Sequence, residues 1–170
     1  LEFVIDPACS IVFEAEEGDA AAMERPPRDP REPLFSAVML RESLVLGIAL
    51  LAAVALAYAW AAASGRGEGE VRALGFAAIV FGNLFLILAY RRSDRLGGLL
   101  KARPTRALVA VLGGALAALA LVIYVPALAA VFRFAPLAPG DLLVALGAAA
   151  AGVFLLLPLT GRRPGGAPAR

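Results

Sequence analysis

An all-α bundle crossing a membrane several times is the fold class this sequence predicts, and three observations predict it. Of its 170 residues, 61% are hydrophobic and 18% charged, and the mean hydropathy is +0.80, far from the balance of a soluble domain. Four stretches carry no charge: 43–63, 73–90, 107–132 and 142–160. Each approaches or exceeds the ~20 helical residues that cross a hydrocarbon core of about 30 Å. All of the charges lie outside these stretches, and the bilayer interior disfavours them.

Composition also removes several chemistries. The chain has no histidine and one cysteine, Cys9. A disulfide framework, a His/Cys zinc site and a Ser-His-Asp or Cys-His couple are therefore excluded within it. The net charge is +2 and the pI about 9.1, but the basic residues sit in short loops. That placement speaks for membrane topology and against a nucleic-acid surface.

Taken in order, residues 1–13 (LEFVIDPACSIVF) are mostly apolar and too short to cross alone. They read as the last part of a membrane helix that begins upstream, so the chain is expected to be the C-terminal piece of a longer protein. Glu2 and Asp6 are four residues apart and share one helix face. Carboxylates inside a membrane are disfavoured and commonly mark an ion path, and this spacing lets two oxygen-bearing groups converge on a hard cation. Pro7 lacks an N–H, which frees the Phe3 carbonyl to serve as a ligand. The alternative is an amphipathic segment at the membrane surface with both acids in water.

Residues 14–42 change character, with acids first and then Arg25, Arg28 and Arg31 among Pro26, Pro27, Pro30 and Pro33. Such proline density favours an extended, semi-rigid connector. Stretches 43–63, 73–90, 107–132 and 142–160 then form four complete membrane helices, able to pack as an independent bundle. Pro126 should kink the third and Pro158 loosen the end of the fourth. Asn83 is the one strongly polar side chain in 73–90, and either a helix-to-helix hydrogen bond or a ligand role suits it. Small residues at spacing four, Ala49, Ala53, Ala57 and Ala61, with Gly113/Ala117 and Ala148/Gly152, predict close helix contacts. The GRGEG run at 65–69 is a turn, since no strand precedes it and no Lys-Ser/Thr pair follows. The tail, 161–170, is rich in Gly and Pro and is expected to be disordered.

Connector by connector, Lys and Arg number four in 14–42, two in 65–72, six in 91–106, one in 133–141 and three in 161–170. The positive-inside rule puts the first, third and fifth in the cytoplasm, the C-terminus included. Tyr58 and Trp60 then fall near the outer interface, where amphipathic rings prefer to lie. Membrane lipids are the expected surroundings, with the Arg91, Arg92 and Arg95 group suited to anionic headgroups.

Two segments, DPACSIVFEAE at 6–16 and MERPPRDPREPL at 23–34, resemble the C-terminal membrane portion of a bacterial cation-transporting P-type ATPase of the calcium- and sodium-pump type. The resemblance extends over the whole chain, whose four further helices and cytoplasmic C-terminus fit that family's ten-helix plan. It implies that residues 1–13 are the end of the sixth membrane helix, with Asp6 as its cation ligand and Glu2 where calcium pumps carry an asparagine. Asn83 matches the ligand position of the eighth helix. Ile5 replaces a ligating threonine. The connector carrying Arg25, Pro26, Pro27 and Arg28 would lie beneath the phosphorylation domain and couple its movement to the membrane. The chain contains no DKTGT phosphorylation motif, TGE loop or nucleotide-binding region. ATP and Mg²⁺ would thus belong to upstream domains of the parent chain, and the transported cation would be the ligand here. The expected setting is the inner membrane. A helical scaffold that binds no ion is the competing expectation, and a secondary transporter half is disfavoured because no half of inverted topology is present.

Overall fold

A computed structural model describes residue 10 and residues 37–90 and 106–155. These fold into five helices and no strand: α1 Ala37–Ala63, α2 Glu68–Tyr90, α3 Arg106–Tyr124, α4 Pro126–Phe132 and α5 Pro139–Phe154. Three carry stretches long and apolar enough to cross a membrane, Leu40–Ala63, Glu68–Ala89 and Arg106–Tyr124. The all-α polytopic class is the one expected from hydropathy.

The boundaries differ from the uncharged stretches in ways local chemistry explains. Helix α1 starts at Ala37, ahead of Ser43, because Arg41 and Glu42 favour helix and need not enter the hydrocarbon. Helix α2 starts at Glu68 and not Ala73. Its first turn holds Glu68 and Glu70, where acids complement the helix dipole. The Gly67 N–H donates to the Glu70 carboxylate at 3.3 Å while the Gly67 carbonyl accepts from the Glu70 and Val71 N–H groups, a reciprocal cap. The turn is confined to residues 64–67, with Gly65 at φ 73°.

Pro126 does more than kink its segment. The helix ends at Tyr124, Val125 is extended at φ −85° and ψ 115°, and α4 begins anew with Pro126 in its first turn. Proline removes a backbone donor and drives the preceding residue out of the α region, which converts the expected bend into a break. Helix α4 ends at Arg133, in the left-handed region at φ 54°. From there residues 134–138 fold back, and the Tyr124 hydroxyl donates to the Leu137 carbonyl at 2.9 Å.

Helices α1, α2 and α5 form the packed centre, and α3 touches α2 more sparsely. Helix α5 runs alongside α2 in the same direction, with Phe85 and Phe154 at one end, 5.4 Å between ring centroids. At the other end Phe76 meets Phe134 at 5.2 Å, and Gly69 lies under Ala135. Lipid offers no hydrophobic drive for helices to associate, so close contact has to supply the attraction. The small residues allow it. A β-carbon at Gly152 would lie 2.9 Å from Ala53 Cβ and 3.0 Å from Leu50 Cα, and one at Gly82 would lie 2.6 Å from Leu50 Cδ1. Leu50 is thereby seated between two glycines on different helices. Ala57 and Ala61 are buried, as the stripe on α1 predicts, whereas Gly113 has no neighbour that a β-carbon would meet. On α5 the buried line is Ala145, Ala149, Gly152 and Val153, with Ala148 half-buried. The stretch expected at 142–160 is described as a helix only over Pro139–Phe154.

Candidate functional site

The candidate residues divide between the described and the remaining parts of the chain. Glu2, Asp6 and the Arg25, Pro26, Pro27 and Arg28 connector lie outside the described residues, as do Pro158 and the tail. Asn83 is described, in the second half of α2. Among the described residues no three His, Cys, Asp or Glu side chains gather as metal ligands.

Helix α2 is the most enclosed of the three long helices, but its enclosure is uneven. Val71, Ala73, Leu74, Ala77, Ala78, Val80, Leu84 and Ile87 are buried. Arg72 and Ile79 are exposed, and Phe76, Asn83 and Leu86 are half-buried. At about 100° per residue these five fall on one stripe, so Asn83 sits on the least covered face of the helix. Its amide makes no side-chain hydrogen bond among the described residues. An amide left unpaired at membrane depth is unfavourable.

A second polar group stands at the end of the bundle where α1 gives way to α2. Arg66, in the turn, donates from Nε at 3.0 Å and from Nη2 at 2.6 Å to Oδ1 of Asp141. Asp141 is in the first turn of α5, and only 8% of its surface is exposed. The same guanidinium lies over Trp60, 4.4 Å from the ring centroid, within cation–π range. Arg72 pairs with Glu68 one turn away at 2.9 Å, and this pair is exposed. The signal for the first pair was present, since Arg66 and Asp141 are opposite charges in connectors that the topology puts on one side. That the two connectors touch follows from α5 packing against both α1 and α2.

Residues 1–158 match a family model described as the C-terminus of cation transporting ATPases. No individual curated protein matches the chain.

Proposed function

The chain belongs to the family of cation-transporting ATPase C-terminal regions, and from that premise we propose that it completes the intramembrane cation site of an ATP-driven pump while scaffolding its helices. Glu2 and Asp6, one turn apart, supply two carboxylates, and Asn83 supplies an amide oxygen. The observation that carries the reading is the half-buried Asn83 on the less covered face of α2, without a side-chain hydrogen bond among the described residues. A helix bearing Glu2 and Asp6 against that face would bring carboxylate and amide oxygens together, the donor type that hard cations take. The connector with Arg25, Pro26, Pro27 and Arg28 would dock beneath the phosphorylation domain and carry its movement to Asp6. ATP and Mg²⁺ would act on the upstream domains of the bacterial parent pump, set in the inner membrane with the C-terminus in the cytoplasm.

The test is cation-stimulated ATP hydrolysis by the full pump across Ca²⁺, Mn²⁺, Mg²⁺ and Na⁺. Asp6→Asn is expected to abolish stimulation by the transported ion, and Asn83→Leu to weaken its apparent affinity roughly tenfold, the equivalent of about 1.4 kcal/mol. Arg25→Ala with Arg28→Ala should slow turnover and leave ion affinity intact. Stimulation indifferent to both Asp6 and Asn83 would favour the scaffold reading, which the close packing of α1, α2 and α5 supports.

A further inference from the structure

Between the last turns of α1 and the first turns of α2 lies an open groove of about 400 Å³, lined by Tyr58, Ala62, Arg66, Glu68, Val71 and Arg72. It sits where the apolar span of α1 ends at Ala63 and that of α2 begins at Glu68. This is the level of the bilayer edge, and Trp60 is beside it. Ala62 and Val71 line it with apolar surface, and Arg66, Glu68 and Arg72 with both signs of charge. We propose that this groove binds the head group of a phosphatidylethanolamine-class phospholipid, with the phosphate on Arg66 and Arg72 and the ammonium on Glu68.

Arg66 is already oriented, because Nε and Nη2 are committed to Asp141 and the guanidinium rests over Trp60. Nη1 remains for a phosphate oxygen, and little side-chain freedom is lost when it binds. Among the described residues Arg72 is tied only by its exposed pair with Glu68, a weak i,i+4 interaction. A phosphate displaces that pair readily and leaves Glu68 facing the ammonium. Charge complementarity selects this head group: once a phosphate has drawn Arg72 off Glu68, a glycerol head leaves Glu68 with no cation to satisfy it, whereas an ethanolamine head supplies the ammonium. Ala62 and Val71 provide apolar wall for the glyceryl and first acyl carbons, which a soluble phosphate lacks. This inference does not depend on the cation-site reading.

The experiment reconstitutes the full chain in vesicles of equal phosphatidylethanolamine and phosphatidylglycerol, extracts it in mild detergent, and identifies the retained lipid by mass spectrometry. Retention of phosphatidylethanolamine should exceed that of phosphatidylglycerol about tenfold. Glu68→Gln or Arg72→Gln, both at solvent-facing positions, should each bring the ratio to about one with helix content unchanged. Glu70→Gln, an acid in the same turn that does not line the groove, should leave it intact. Equal retention by the wild type, a preference for phosphatidylglycerol, or a preference surviving in Glu68→Gln would overturn the proposal.

Discussion

At the scale of the residue, Arg66 joins a hydrogen-bonded ion pair and an aromatic face on one guanidinium. Asp141 has little water around it, so it relies on that partner for neutralisation. Removing one member of such a pair leaves the other charge poorly solvated. Arg66→Gln is therefore expected to destabilise the folded bundle by about 2 kcal/mol, in the range for a hydrogen bond to a charged group. Asp141→Asn should be less harmful in the Arg66→Gln background than in the wild type. A double-mutant cycle, read by unfolding in mixed micelles, should give a coupling of about 1 kcal/mol or more; strictly additive losses would show that the two side chains act independently. The exposed Arg72 and Glu68 pair should show no more than about 0.5 kcal/mol in the same cycle. Arg66 was legible in the sequence as a loop charge. Its partner was not, because a separation of 75 positions along the chain says nothing of which loops abut.

At the scale of the element, helix contacts are decided by backbone proximity and not by hydrophobicity, which every face of these helices shares. Gly152 illustrates this, with the Ala53 side chain and the Leu50 backbone at the place a β-carbon would occupy. Gly152→Val should cost about 1–3 kcal/mol through overpacking, since the backbone of α1 has to move away. Gly113→Ala, where nothing lies within 4 Å, should stabilise by about 0.4–1 kcal/mol, because glycine in a helix keeps unfolded-state freedom that alanine lacks. The two variants compared in one thermal or denaturant titration check the ranking, and a harmless Gly152→Val would refute the close crossing. Spacing-four patterns flagged both sites in advance. They could not distinguish a stripe in an interface from one on an open face, since alanine and glycine recur throughout these helices. Pro126 was likewise legible as a disturbance, but whether it bends or divides depends on what holds the following residues. Here the Tyr124 to Leu137 hydrogen bond and the Phe76, Phe132 and Phe134 cluster hold them in a separate arrangement.

At the scale of the whole molecule, the contact of Arg66 with Asp141 and that of Gly69 with Ala135 place the 64–67 and 133–138 connectors at one end. This agrees with the alternation of basic residues along the chain. In a Cys9→Ser background, Ser64→Cys and Ala138→Cys should react with a membrane-impermeant maleimide added to intact cells, and Arg106→Cys only after permeabilisation. Labelling of Ser64→Cys and Ala138→Cys from opposite sides would contradict the fold; labelling of both from inside only would invert the charge-based orientation. The helices were readable because bilayer thickness imposes a length on every crossing. The proposed cation site is less so: Glu2 and Asp6 are plain in the sequence, but whether they meet Asn83 depends on helices packing across the bundle. The long reach of the Arg66 pair also sets an order of manufacture. The α1 and α2 hairpin leaves the ribosome carrying a cation whose acid has not yet been translated, and at ~5–20 residues per second the wait is roughly 4–15 s. Helix α5, made after the other described helices and packed on both members of the hairpin, closes this part of the bundle. A nascent chain halted before Asp141 would present an unneutralised arginine at Trp60.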